Sequence, residues 1–311
     1  MKILILDKNH PVITEQLTAI GFTLVEDFLS TYEEVLAKIE EFQGIIIRSR
    51  IPLDQKFLEK ASHLKFIARV GAGMENIDVK FAEQKGITLI NSPEGNRDAV
   101  AEQVLGTLLV LMNRLLISSQ EVKNGIWNRE ENRGDEIKGK TVGLLGYGNM
   151  GKAVAQRFSG FGCNVIFYDI LPNLGNKFGL QVSLETLKKE TDILSLHLPL
   201  TEATTYLINE AFIAGMKKNF YLVNTARGKN VKTADLVRAL KSGKIKGAAL
   251  DVLEYEKSSF ENLETENEDL DFLLSSENVI ITPHIAGWTV QSKEKLAQVI
   301  VDKIKSNFPC P

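Results

Sequence analysis

Up to residue 90 the chain alternates short apolar runs with amphipathic ones. "KILILD" (2–7), "GIIIRS" (44–49) and "KFIARV" (65–70) are apolar without a polar alternate, the pattern of strands covered on both faces. Helical periods lie between them, such as "TYEEVLAKIEEF" (31–42), with Val35, Leu36 and Ile39 on one side. This alternation predicts βαβ units and a parallel sheet. From Asp98 to Lys123 one long helical period follows, apolar nearly all round in its middle. Such a helix must be covered on most sides, by another domain or another subunit.

A second alternation then begins. "TVGLLG" (141–146), "NVIFYD" (164–169), "DILSLHLP" (192–199), "NFYLVNTA" (219–226), "GAALDV" (247–252) and "NVIITP" (278–283) read as buried strands, with a further short one near Leu180–Val182. Helices fit at 151–160 and 233–242. The segment 292–308 is amphipathic, with Leu296, Val299, Ile300 and Ile304 on one face. The acidic run 261–271 predicts an exposed loop or helix without chemistry of its own.

Length and composition narrow the picture. At 311 residues the chain is long for a single core, so two domains are expected. A net charge of −3 gives no footprint for nucleic acid or an anionic membrane. "KSGKIKGA" (241–248) is basic only locally, as a solvated helix end. Cys163 and Cys310 offer neither a disulfide framework nor metal-ligand spacing, so a reducing cytoplasm and no metal are expected. The N-terminus meets a charge at Asp7, too early for a signal-peptide core. The most apolar segment, "VLGTLLVLMN" (104–113), falls short of the roughly 20 residues of a membrane span, so it predicts a buried helix in a soluble protein.

The chemistry begins at "TVGLLGYGNMG", where Gly146, Gly148 and Gly151 follow a strand and open a helix. The first glycine makes a tight turn, the second lets backbone approach a pyrophosphate, and the third packs helix on strand. The pyrophosphate then meets the amides and dipole of the helix N-terminus. The next strand ends in Asp169, where a carboxylate bonds ribose hydroxyls and repels a 2′-phosphate. No arginine follows in "DILPNLG". A glycine turn with a chance aspartate would explain either feature alone; together they indicate NAD over NADP.

Three further features end later strands, where open α/β sheets hold their ligands. These are Arg227 in "NTARG", Asp251 with Glu256 in "LDVLEYE", and His284 in "TPHIAG". A 2-oxo acid needs a fixed cation for its carboxylate and its polarised carbonyl, which the planar fork of arginine supplies. Hydride arriving at the carbonyl creates an alkoxide that histidine can protonate, with a carboxylate fixing its tautomer. Each residue alone fits an ordinary structural role; as a set after a dinucleotide loop they read as catalytic.

With these motifs the sequence resembles the D-isomer-specific 2-hydroxyacid dehydrogenases. The resemblance runs in order through "VGAGMENID" (70–78), "GYGNMG", "LHLPLT" (196–201), "NTARG", "ALDVLEYE" and "TPHIAG". It implies two doubly wound parallel-sheet α/β domains, a Rossmann domain inserted into a flavodoxin-like substrate domain. The expected boundaries are 1–97 for the substrate domain, 98–286 for the NAD-binding domain, and 287–311 for a helix returning to the first. It further implies Arg227, Glu256 and His284 as the catalytic set. Asn149 and Met150 would contact the dinucleotide, Thr225, Ala226 and Asp251 would line its nicotinamide side, and Pro199 and Gly287 would also bind the cofactor. The backbone of Val70, Gly71, Ala72 and Gly73 would hold the substrate carboxylate in a cleft between the domains. A homodimer would cover the long helix.

"IIRSR" (46–50) resembles the segment that 3-phosphoglycerate dehydrogenases direct at phosphate, making Arg48 and Arg50 candidate phosphate ligands if the strand continues to Arg50. 3-Phosphoglycerate is therefore the first-choice substrate, hydroxypyruvate or glyoxylate the alternative. The chain ends soon after His284, so no C-terminal regulatory domain is expected. Two residues depart from the family pattern: Lys257 replaces a usual proline, and Trp288 stands where a small residue is common. Trp288 reads equally as a pocket wall and as a packing residue. Formate dehydrogenases put an amide at the position of Glu256 and fit poorly. An NAD-sensing binding protein of corepressor type is the rival from another class.

Overall fold

The computed structural model describes residues 1–256 and 267–309, so Lys257, residues 261–266 of the acidic run, and Cys310 lie outside the described residues. The chain divides into two compact units, Met1–Arg97 with Trp288–Pro311, and Asp98–Gly287.

The first unit carries β1 (Lys2–Ile5), α1 (Val12–Ala19), β2 (Thr23–Glu26), α2 (Tyr32–Lys38), β3 (Gly44–Ile47), α3 (Gln55–Lys60), β4 (Phe66–Arg69), α4 (Val79–Gln84) and β5 (Thr88–Asn91). The strands pair in parallel in the order β2-β1-β3-β4-β5, the flavodoxin-like arrangement. Successive side chains on a strand face opposite ways. Ile3 and Ile5 pack with Ile13 and Leu17 of α1, whereas Leu4 and Leu6 pack with Val35 and Leu36 of α2 and with Phe57. Both faces are apolar, which is why these strands show no polar alternation. Thr31 caps α2 through a reciprocal pair with Glu34, and Asp54 and Asp78 cap α3 and α4.

The sequence periods missed β2 and β5. Both are sheet edges with half-exposed side chains, so neither has a continuous apolar run.

The second unit follows from α5 (Pro93–Met112) and α6 (Leu115–Lys123). The helix expected as one piece from Asp98 to Lys123 is two, bent by 57°. Arg114 takes φ 52°, a left-handed residue that the helical hydrogen-bond ladder cannot pass through. Within the single chain α5 buries Val104, Leu108, Leu111 and Met112, whereas α6 buries no side chain. Among the described residues no single helix is long and apolar enough to cross a membrane.

The remaining elements are β6 (Thr141–Leu145), α7 (Asn149–Phe158), β7 (Asn164–Tyr168), β8 (Leu180–Gln181), α8 (Leu184–Glu190), β9 (Ile193–Leu196), α9 (Glu210–Gly215), β10 (Phe220–Asn224), α10 (Thr233–Lys241), β11 (Ile245–Leu250), α11 (Glu268–Ser275) and β12 (Val279–Ile281). The seven strands pair in parallel in the order β12-β11-β10-β9-β6-β7-β8. The order reverses between β6 and β9, the switch point at which doubly wound sheets bind nucleotides. Finally α12 (Val290–Asn307) completes the first unit. It sets Leu296, Ile300 and Ile304 against the α1 face of that sheet, with Val299 only half-buried.

Candidate active site

The glycine loop sits at the switch point. Gly146 takes φ 91°, and a Cβ there would lie 2.4 Å from the His197 carbonyl oxygen. A Cβ on Gly151 would lie 2.2 Å from the Gly146 carbonyl oxygen. Gly148 differs, because among the described residues no atom beyond its own chain neighbours lies within 4 Å of its missing Cβ. Gly148 is also the N-cap of α7 and brings no side chain to the first amides, which belong to Asn149, Met150 and Gly151. The loop is anchored by Tyr147, buried and stacked on Phe167 with ring centroids 3.6 Å apart. Asp169 closes the loop from β7: its Oδ2 accepts from Tyr147 N at 2.7 Å and its Oδ1 from Leu171 N at 3.0 Å.

These features fit a dinucleotide. The glycines leave open space and uncapped amides where a pyrophosphate needs both. At the end of β10 the buried Oγ1 of Thr225 has no hydrogen-bond partner among the described residues, an unmet demand that a ligand group could satisfy. Pro199 follows β9; it is exposed, and its carbonyl accepts from Thr204 Oγ1 at 2.6 Å.

Beyond β10 the chain turns sharply. Buried Asn224 accepts from Ala226 N at 3.0 Å and donates to the Arg227 carbonyl at 3.0 Å, while buried Asn230 accepts from Arg227 N at 3.1 Å. Two asparagines thus fix the turn that presents Arg227, whose Nη1 donates to the Ala226 carbonyl at 2.7 Å.

Asp251, just past β11, is 2% exposed. Its Oδ1 accepts from Ile285 N at 2.8 Å, Thr282 Oγ1 at 2.6 Å and Gln103 Nε2 at 3.1 Å; its Oδ2 accepts from Ala286 N at 2.8 Å. Its carbonyl accepts from His284 N at 2.8 Å. One buried residue therefore gathers the loop after β12, which leads on to half-buried Gly287. On that loop His284 takes φ 52°, and its Nδ1 lies 2.8 Å from Glu256 Oε2. The other oxygen, Oε1, accepts from Leu253 N at 2.5 Å. A carboxylate only accepts, so Nδ1 carries a proton and Nε2 is the ring nitrogen left for exchange. Nothing in the sequence marked Gln103, Thr282, Asn224 or Asn230. Their roles are contacts between residues far apart in the chain, which periodicity does not reveal.

In the first unit β3 stops at Ile47, so the alternation needed to aim Arg48 and Arg50 alike is absent. Arg50 is engaged within its own unit instead. Its guanidinium donates to the carbonyls of Leu6 at 2.6 Å, Asp27 at 3.1 Å and Ser30, tying the ends of β1 and β2 together. Arg48 is held at its backbone, its N–H donating to Asp7 Oδ2 at 2.6 Å and its carbonyl accepting from Arg69 Nε at 3.1 Å. Its Cζ stands 4.3 Å from the Trp288 ring centroid. The Val70, Gly71, Ala72, Gly73 loop follows β4, and Gly71 N donates to Ser92 Oγ at 3.1 Å. A Cβ on Gly71 would meet Arg69 Nη1 at 2.0 Å, so a second guanidinium lies against this loop. Arg69 escaped sequence reading because it ends a buried strand and looks like its flank.

Residues 105–286 match the family model described as D-isomer specific 2-hydroxyacid dehydrogenase, NAD binding domain. The chain belongs to the D-isomer specific 2-hydroxyacid dehydrogenases. Like the family, it is an NAD-dependent oxidoreductase of 2-hydroxy acids, with NAD as its cofactor. It is similar to the hydroxypyruvate reductase of Thermotoga maritima, 37% identical over 88% of this chain and 87% of that protein. It is also similar to the D-3-phosphoglycerate dehydrogenase of Methanocaldococcus jannaschii, 36% identical over 98% of this chain but only 57% of that protein. The chain thus spans a little over half the length of that relative. Among solved structures, the D-lactate dehydrogenase of Aquifex aeolicus complexed with NAD and lactic acid superposes with a TM-score of 0.83, at 32% identity over 99% of this chain and 95% of that one.

Proposed function

We propose that the chain moves hydride between nicotinamide and C2 of a D-2-hydroxy acid, with 3-phosphoglycerate and its oxo acid as the substrate pair. The observation that carries the reaction is the Glu256–His284 couple, 2.8 Å apart on a loop tied to Asp251. NADH, when bound, supplies hydride to the carbonyl carbon of the oxo acid. His284 gives the Nε2 proton to the carbonyl oxygen as negative charge builds there, and takes it back in the reverse direction. Glu256 keeps the tautomer and stabilises the charged ring. Arg227 offers its fork to the carboxylate and polarises the carbonyl. Asp169 receives the ribose hydroxyls; the amides of Asn149 and Met150 face the pyrophosphate. Pro199, Thr225, Ala226 and Gly287 serve the nicotinamide side, while Asp251 holds the loop.

The amides of Val70, Gly71, Ala72 and Gly73 take the carboxylate in this reading. Two arginines in one unit, Arg48 and Arg69, support a second anionic group on the substrate. The unphosphorylated alternative, hydroxypyruvate, is supported by the length over which the hydroxypyruvate reductase matches and by the engagement of Arg50 elsewhere. We place the enzyme in the cytoplasm, which suits the free thiol of Cys163. We further propose a homodimer, because Leu115, Leu116, Val122, Ile126 and Trp127 form an exposed apolar run on and after α6 that a second copy would cover.

The test is NADH oxidation with 3-phosphohydroxypyruvate, hydroxypyruvate, glyoxylate and pyruvate at equal concentration. A preference for the phosphorylated acid that Arg48→Ala abolishes is expected. Preference for an unphosphorylated acid moves the assignment to the alternative, and silence with all four moves it to an NAD sensor. In the same assay His284→Asn is expected to lose at least a hundredfold in kcat while NADH binding, titrated by its fluorescence, stays within twofold.

A further inference from the structure

Trp288 is 59% exposed, unusual for a side chain whose ordinary use is to bury a large apolar surface. It immediately precedes Thr289, which N-caps α12 through Ser292: Ser292 N donates to Thr289 Oγ1 at 3.0 Å and Thr289 N to Ser292 Oγ at 2.9 Å. The helix behind this cap is packed into the sheet of the first unit through Leu296, Ile300 and Ile304. The indole therefore stands at the capped end of a packed helix, with more than half of the residue's surface exposed. The Cζ of Arg48 stands 4.3 Å from its ring centroid. Arg48 is pinned at both backbone groups, by Asp7 and by Arg69, yet its long side chain has several rotatable bonds. An aromatic face stacked on a guanidinium restrains its plane and still leaves the in-plane N–H edge to meet an anion.

We infer that Trp288 is a positioning residue for substrate recognition: its indole holds the Arg48 guanidinium in the orientation that receives the anionic end of the oxo acid. The inference rests on the proposed role of Arg48 above and deepens it. Trp288 acts through Arg48 and touches no reacting atom. Its removal should be felt in substrate binding, leaving the chemical step and the dinucleotide untouched.

The experiment is a double-mutant cycle on Arg48 and Trp288, run with 3-phosphohydroxypyruvate. Trp288→Ala is expected to raise KM about fivefold, with kcat and the NADH dissociation constant within twofold. Trp288→Phe, which keeps an aromatic face, should recover most of the loss. In an Arg48→Ala background Trp288→Ala should have no further effect. Independent, additive effects overturn the inference, as does a Trp288→Ala enzyme with unchanged KM or a Phe variant no better than Ala. The identity of the preferred acid tests the earlier reading; the coupling tests this one. A second readout needs no turnover. The chain has two tryptophans, so Trp127→Phe leaves Trp288 as the sole emitter. 3-Phosphoglycerate added to the NADH complex of that variant should change its emission, and adding Arg48→Ala should abolish the response. A response that persists without Arg48 overturns the inference.

Discussion

The three glycines of the dinucleotide loop look equivalent in sequence but make different demands. Gly146 and Gly151 are required by the protein itself, since a Cβ at either would collide with backbone oxygen at 2.4 and 2.2 Å. Gly148 meets no such neighbour among the described residues, which leaves the room a ligand would use. Gly151→Ala should therefore lower stability by about 2 kcal/mol or more, an overpacking effect, whereas Gly148→Ala should leave the thermal midpoint within 1–2 °C. The same Gly148→Ala change should weaken NADH binding at least tenfold. Melting curves and fluorescence titrations on the two variants separate these cases; a Gly148 variant that binds NADH normally would remove the glycine loop from the cofactor site.

At the scale of an element, the loop after β12 is held by a single carboxylate. Asp251→Ala would strand the amides of Ile285 and of buried Ala286 and release Thr282 and Gln103. Unsatisfied buried donors cost about 1–3 kcal/mol each, so a loss near 3 kcal/mol in urea denaturation is expected. Turnover should fall with it, because His284 loses the frame that sets its distance to Glu256. An Asp251 variant with native stability would assign that carboxylate to the cofactor alone. This frame also marks how far the sequence could be read. Doubly covered strands, the glycine loop and the Arg, Glu and His at strand ends are local patterns, and local patterns survive in a linear string. Asp251 could be picked out as a strand-end carboxylate. That it gathers Gln103, Thr282 and two amides could not, since those partners are distant in sequence. For the same reason Arg50 misled: its three carbonyl partners come from segments 20 to 44 residues away.

For the whole molecule, acid should act in two stages. Burial of His197 near the switch point pushes its imidazole down to about 3, with its Nε2 3.0 Å from Ser195 Oγ. The unfolded chain binds that proton near pH 6.5 and the folded one does not, so stability falls as pH drops from about 6.5 toward 3 and is flat above. At about 1.4 kcal/mol per pH unit, this amounts to on the order of 3 kcal/mol by pH 4. Carboxylates form the second stage. Asp135 is lowered by hydrogen bonds from Lys246 and from Tyr221, each at 3.0 Å. Asp54 is lowered by hydrogen bonds from Tyr32 and from Phe57 N. Their contribution is complete above about pH 4 and is lost only below it. His197→Gln should flatten the upper window in urea melts taken from pH 7 to 4 and leave the lower one in place. An unchanged slope between pH 6.5 and 4 would show that His197 is protonated in the folded chain.

The backbone at residue 284 has a consequence for anyone who randomises the position. A torsion of φ 52° is one that Asn and Gly adopt readily, that His tolerates, and that Val, Ile and Thr resist. A library screened there sorts first by conformational tolerance and only afterwards by proton chemistry. Most inactive clones would be broken turns rather than missing acids. Asparagine shares the left-handed tolerance and lacks a titrating ring, which makes it the substitution whose silence reports on the proton alone.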